Sequence, residues 1–216
     1  GEKNHAYRIL RAVKNRFGST NELGIFEMCD HGLIPVEDAS QLLLTNRDES
    51  IPGTSVHCSV EGARPMLVEI QALISATCFG TPRRTCTGFE YNRMAMILAV
   101  LEKRLGMTLS NQDAYVNVAG GLYLDEPAAD LAVACAICSC ATNRPILANT
   151  AIIGEIGLTG EVRPVNGIDT RISECRKNGF NRIIIPAGNK VGGKSKTGII
   201  QVRSVREAIG EAFSDA

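Results

Sequence analysis

Neither sign of charge is in excess, because 23 Lys and Arg stand against 23 Asp and Glu in 216 residues. A sequence-blind polycation that coats nucleic acid or an anionic membrane is therefore not expected, although a local basic face is still possible. Long hydrophobic runs are missing as well: the most apolar stretch, Leu131 to Cys138, is far short of the roughly 20 residues that a bilayer demands. No charged start leads into an apolar core of the secretory kind, so the expectation is a soluble, cytoplasmic chain with no membrane partner. There is no internal repeat and no low-complexity tract. There is also no Gly-x-x-x-x-Gly-Lys-Ser/Thr phosphate loop; Gly188–Lys196 echoes one only superficially, because its first glycine lies too close. The chain is not expected to bind ATP by itself. At 44% apolar it has material for one ordinary domain, or one domain plus a fragment of another, and disorder is excluded.

The eight cysteines, Cys29, Cys58, Cys78, Cys86, Cys135, Cys138, Cys140 and Cys175, are spread over a chain long enough to build an apolar core without staples. Reduced thiols are the expectation. Cys135, Cys138 and Cys140 come nearest to a metal cluster, yet they sit inside Ala128–Thr142, an Ala-rich run without the Gly or Pro turn of a zinc knuckle. They read as buried helix filler, since free cysteine behaves as a small hydrophobe, and no metal site is expected. His57-Cys58 reads as a strand pair rather than as ligands.

Ala6–Val13 and Leu23–Met28 are strand-like runs around the turn-rich Asn15–Asn21, so they predict a hairpin. A hairpin alone is barely stable, and this one must lean on a sheet that the chain does not obviously supply. The expectation is that the N-terminus is cut inside a domain whose body is missing. Val36–Leu44 is a short helical segment, and the polar Thr45–Gly53, ending in a Pro-Gly turn signal, marks a boundary. Beyond it, Ser55–Val60 and Pro65–Ile74 predict a hairpin, Tyr91–Leu105 a helix stopped by Gly106, and Ala114–Ala119 a strand. Asp125–Thr142 predicts a buried helix, and Ala151–Leu158 with Glu161–Val165 a hairpin around Thr159-Gly160. Asp169–Lys177 predicts a helix, Arg182–Pro186 and Ile199–Val202 strands, and Val205–Phe213 a closing helix. Strands and helices interleave with hairpins, so the class is α+β (mixed α/β).

Two stretches carry a resemblance: Gly120-Gly121-Leu122-Tyr123-Leu124-Asp125-Glu126-Pro127-Ala128-Ala129-Asp130, and Gly154-Glu155-Ile156-Gly157-Leu158-Thr159-Gly160-Glu161-Val162-Arg163-Pro164-Val165-Asn166-Gly167-Ile168. They resemble the catalytic half of the Lon protease domain, a fold of the ribosomal protein S5 domain 2-like kind, and Ser55–Leu73 resembles its opening hairpin. The likeness covers about 53–213. Lon-type proteases cleave with a Ser–Lys dyad, the serine following Asp-Gly-Pro and the lysine lying in the helix after the Gly-Glu hairpin. Aligned on those motifs, Ala128 stands at the serine position and Arg171 at the lysine position. Alanine has no heteroatom to attack a carbonyl, and arginine stays protonated, so no catalytic residue is expected. Ser139 lies too far along the helix to substitute. For Arg171 the readings are an ion pair with Asp125 or another carboxylate near the former active site, or a place on the DNA path.

Lys14-Asn15-Arg16-Phe17-Gly18 resembles the signature near the end of the RecA-like ATPase core of the RadA (Sms) family, bacterial proteins of recombinational DNA repair in which a degenerate Lon-type domain follows the ATPase. The resemblance implies residues 1–47 as the end of the ATPase domain and 53–216 as the degenerate Lon-type domain. It implies Lys14 and Arg16 reaching the nucleotide of a neighbouring subunit, where a cation stabilises charge on the transferring phosphate. It further implies a hexameric ring, a recombinase partner, and ATP-driven branch migration in the intact protein, with ATP, Mg and a zinc finger supplied by parts that this chain lacks. A ring gathers weak basic patches into one surface, where phosphate contacts add through counterion release. On that basis Arg83, Arg84, Arg93 and Arg163 are the expected DNA contacts, with Lys190, Lys194 and Lys196 on a Gly-rich loop. The rival readings are a serine peptidase with a displaced nucleophile, and an assembly platform without DNA contact.

Overall fold

A computed structural model describes residues 7–11, 23–29, 31–36, 39–44, 48–62, 64–78, 80–192 and 196–213. The expected first hairpin is present as β1 (Tyr7–Arg11) and β2 (Leu23–Cys29), antiparallel with Tyr7 opposite Glu27. The sequence gives no warning of a third strand, β3 (Gly32–Pro35), which pairs with β2 and makes a three-stranded sheet. Its proline reads against strand, and an edge position is where proline is tolerated because no ladder donor is needed there. Helix α1 (Ala39–Leu43) follows, shorter than expected. Its Ser40 is buried against the rest of the molecule: the Ser40 hydroxyl accepts the Leu67 N–H at 3.0 Å and donates to Glu174 at 2.5 Å.

The body is built on β4 (Thr54–Glu61), β5 (Arg64–Ala76), β6 (Arg84–Thr87), α2 (Tyr91–Leu105), β7 (Gln112–Val118), α3 (Asp130–Thr142) and β8 (Thr150–Ile152). It continues through β9 (Glu155–Ile156), β10 (Val162–Arg163), α4 (Ile168–Lys177), β11 (Arg182–Pro186), β12 (Ile199–Val202) and α5 (Val205–Ala212). Seven strands form one mixed sheet in the order β12-β11-β8-β4-β5-β7-β6. Four of its six pairings are parallel; β4–β5 and β5–β7 are antiparallel. The class is therefore mixed α/β. Helices α2, α3 and α5 pack one apolar layer around Leu101, Leu131, Ile137 and Val205, while α4 closes a second around Cys58, Ile153, Ile172 and Ile183. Helix α3 is apolar on every side because the sheet, α2 and α5 all press on it. Helix α2 shows the expected stripe, with Met94, Ile97, Leu98 and Leu101 buried, and it ends at Gly106 with φ of 74°, the left-handed conformation a glycine stop supplies.

Two expectations are corrected. The segment beginning Pro82-Arg83-Arg84, for which no strand is predicted, enters the sheet as β6, parallel to β7 through the intervening α2. A four-residue edge strand in a parallel crossover has no local pairing signal, since its partner lies a whole helix away. The long hairpin around Thr159-Gly160 is also shorter than expected. Thr150–Ile152 belongs to the main sheet between β11 and β4, and only Glu155–Ile156 pairs with Val162–Arg163. The chain peels away at Gly154, whose N–H donates to the Ala128 carbonyl at 2.8 Å and whose carbonyl accepts the Leu131 N–H at 3.0 Å.

Gly53 opens β4 with φ of +95°, and an added Cβ would stand 2.6 Å from the Ala72 carbonyl oxygen. Gly53→Ala is expected to lower stability by about 1–3 kcal/mol, the range for a strained backbone conformation, as read by urea unfolding. The Gly53 N–H donates to the Ser139 hydroxyl at 2.9 Å, so the same change loosens the joint between β4 and α3.

Candidate functional site

A 3-10 turn at Pro127–Ala129 feeds α3 and seats Ala128 against Cys58 of β4 and Ile168 and Ile172 of α4. Ala128 is buried, and its methyl group offers nothing that attacks a carbonyl. Arg171, one turn into α4, is 4% exposed, and all three guanidinium nitrogens donate inside the protein. Its Nε bonds the Asn166 carbonyl at 3.0 Å and its Nη1 the Cys58 carbonyl at 2.5 Å. The fork closes on the Glu126 carboxylate, Nη1 to Oε1 at 3.1 Å and Nη2 to Oε2 at 2.5 Å. The partner is thus Glu126 and not Asp125. His57, fully buried on β4, completes the cluster with Nε2 3.0 Å from Glu126 Oε1 and Nδ1 3.2 Å from the Ile152 carbonyl. The Val60 N–H adds a bond to Oε1 at 3.3 Å.

Burial by itself would push the Glu126 carboxyl up, but hydrogen bonds from His57 and Arg171 and the charge behind them outweigh it. They hold the acid well below the ordinary glutamate value of 4.5. Glu126 lies two residues before Ala128 and pairs with Arg171, so a carboxylate joins those two positions. Sequence reasoning gave His57 no role and passed over Glu126. The available signal was a charged residue in a glycine position, paired with the change from lysine to arginine. Ser139 is no substitute nucleophile: its hydroxyl donates to the Arg144 carbonyl at 2.5 Å and accepts the Gly53 N–H.

Of the basic residues singled out from the sequence, Arg93 and Arg163 come together at a cleft of about 290 Å³ between α2 and the β9–β10 turn, and both face carboxylates. Arg93 grips Asp130, the first residue of α3, with Nε to Oδ1 and Nη2 to Oδ2 both at 2.5 Å. Asp130 is 1% exposed and also accepts the Ile156 N–H at 3.1 Å. Burial pushes the Asp130 carboxyl up, toward its neutral form, while the hydrogen bond to Asp130 pushes Arg93 up, toward its charged form; the acid and the base disagree about the pair because the acid loses far more water than the guanidinium. The forked geometry is that of an ionised pair. Arg163 donates to Glu161 Oε1 at 2.9 and 2.6 Å and lies 3.7 Å from Glu155.

Arg83 and Arg84 lie apart from that cleft, at the start of β6. Arg84 donates to the carbonyls of Leu109 at 2.8 Å, Arg83 at 3.2 Å and Gln112, all neutral acceptors, and pairs with no carboxylate among the described residues. The Arg83 N–H donates to Asp113 at 2.8 Å. Lys14, Arg16 and Lys194 fall outside the described residues. Among the described residues no three His, Cys, Asp or Glu are grouped to hold a metal ion, and no helix is long and apolar enough to cross a membrane. Cys135 and Cys138 are buried in α3, where the apolar surroundings push the Cys138 thiol up to about 12.

Residues 74–189 match the family model described as subunit ChlI of Mg-chelatase. Three curated proteins, each called DNA repair protein RadA, are similar along nearly the whole chain. The one from Halalkalibacterium halodurans is 55% identical over 212 residues, covering 97% of this chain and 46% of the relative. That from Bacillus subtilis is 54% identical over 211 residues, with 97% and 46% covered, and that from Listeria monocytogenes 52% over 217 residues, with 100% and 48% covered. The chain spans about half the length of the curated relatives it matches. With identity at this level across its length, the chain belongs to the RadA family, and its residues 74–189 to the ChlI domain family.

Proposed function

We propose that the chain is the non-proteolytic, Lon-type assembly and DNA-binding part of a RadA-type, ATP-dependent DNA repair protein. In this reading residues 1–47 end a RecA-like ATPase unit and 53–216 form the degenerate Lon-type domain, with subunits arranged in a hexameric ring. Branch migration, the recombinase partner, ATP with Mg, and the zinc finger belong to the intact protein. Lys14 and Arg16 would reach a neighbouring subunit's nucleotide. One observation carries the non-proteolytic reading: at the positions marked by the resemblance stand Ala128, which has no attacking atom, and Arg171, whose guanidinium is ion-paired with Glu126 and is no neutral amine that could take a proton.

For DNA contact the charge environment ranks the candidates. Arg84 rests on neutral carbonyls, so its charge remains available to a phosphate, with Arg83 beside it and Lys190 and Lys196 on their own loop. Arg93 and Arg163 would first have to give up carboxylates. In fluorescence anisotropy with labelled single-stranded DNA, Arg84→Gln is expected to weaken binding several-fold and to lower the salt slope by about 1. Arg163→Ala is expected to change binding less. Salt-insensitive binding, or binding that Arg84→Gln leaves untouched in a variant with an unchanged melting temperature, would overturn the DNA assignment.

A further inference from the structure

We propose that the cleft between α2 and the β9–β10 turn is a docking site for a short segment of a partner protein, one that carries an apolar side chain next to a lysine or arginine. The floor of the cleft is apolar, formed by Ile97, Val100 and Ile156. Two large apolar side chains at its mouth face solvent, Met96 at 45% and Leu158 at 67% exposure. Leu158 is the most exposed large hydrophobic side chain among the described residues. Its place on the tight β9–β10 turn holds it there, since the Gly157 N–H bonds the Glu161 carbonyl at 3.0 Å and the Gly160 N–H the Gly157 carbonyl at 2.9 Å. A volume of about 290 Å³ suits one or two side chains and sits at the lower end of ordinary ligand pockets.

The charges in the cleft choose the occupant. Three carboxylates, Asp130, Glu155 and Glu161, face two guanidiniums, Arg93 and Arg163. Asp130 is taken by Arg93, and Glu161 by Arg163 and Thr159. Glu155 stands 3.7 Å from the outer nitrogen of Arg163, too long for a hydrogen bond, and makes no hydrogen bond through its side chain among the described residues, while its charge is also felt by Arg93. The cleft therefore keeps one carboxylate in excess, beside an apolar floor. A phosphate backbone would meet that carboxylate with like charge. A cationic side chain would bond it while its apolar neighbour covers Leu158, Met96 and the floor.

The test selects a displayed library of random 12-residue peptides against this chain, then measures fluorescein-labelled winners by anisotropy. Enriched peptides are expected to pair an apolar residue with Lys or Arg, and to shift the amide resonances of Ile156, Gly157 and Leu158. Glu155→Lys and Leu158→Asp are each expected to weaken their binding at least tenfold. Leu158 is exposed and Glu155 half-buried, and retained melting temperatures show that the variants fold. Acidic winners, binding that ignores both substitutions, or no enrichment would overturn the proposal. Two other outcomes would also overturn it: a drop in solution mass on Leu158→Asp, which would make a second copy the occupant, and loss of single-stranded DNA binding on Leu158→Asp at unchanged mass with no peptide bound.

Discussion

Arg171→Ala is expected to destabilise the chain by about 3–5 kcal/mol, as read from urea unfolding monitored by circular dichroism, because it strands the Glu126 carboxylate in the interior. The same change leaves the Cys58 and Asn166 carbonyls without their donor. Arg171→Lys should recover part of the loss, since an ammonium restores the charge but not the fork. The double variant Arg171→Ala with Glu126→Ala should cost less than the sum of the two single changes, as both ends of the pair are removed together. A full additive loss would mean that Arg171 acts by packing and not by its charge.

The pH dependence follows from the same cluster. Glu126 titrates lower in the folded chain than its ordinary 4.5, so its stabilising contribution is complete above that value and is lost as pH falls through the folded one. Stability should therefore decline as the solution is acidified below pH 4.5, and Arg171→Ala should flatten that decline because the depression depends partly on the guanidinium.

Asp130→Ala is the second large effect, about 2–3 kcal/mol by the same measurement. The change removes the acceptor for the Ile156 N–H and the counter-charge for Arg93 at the first turn of α3, where a carboxylate is favoured by the helix dipole. The cost stays below that at Arg171 because the Arg93 side chain is 27% exposed and reaches water once released. Hydrogen exchange should quicken at Ile156 and along β9–β10 before the main sheet responds. Uniform quickening across the whole sheet would show that Asp130 supports α3 as a whole and not the hairpin.

Much of the architecture is written in local pattern. The stripe of Met94, Ile97, Leu98 and Leu101, the all-apolar run from Leu131 and the Pro-Gly signal at Pro52-Gly53 each name an element from its own residues. Elements defined only by distant partners escape such reading. β6 is a strand because β7 passes beside it, and no alternation within four residues announces that; at β8 strand is legible from Ala151 onward, but its partners β4 and β11 are not. The candidate site divides in the same way. The replacements at Ala128 and Arg171 are visible in aligned motifs, whereas the roles of His57 and Glu126 depend on side chains that converge from β4, the 3-10 turn and α4.

The sequence alone shows which groups stand at these two positions: a methyl group has no lone pair to offer, and a guanidinium, already protonated near neutral pH, accepts no proton. Tertiary structure alone decided where the charges go. Arg171 is matched to a carboxylate 45 residues away and to a carbonyl 113 residues away, and Arg93 to an acid 37 residues away, while among the described residues Arg84 meets neutral carbonyls. Chain order carries no record of those distances, and Coulomb energy depends on distance and burial, so only the folded arrangement separates a buried counter-ion from a charge left open to a partner.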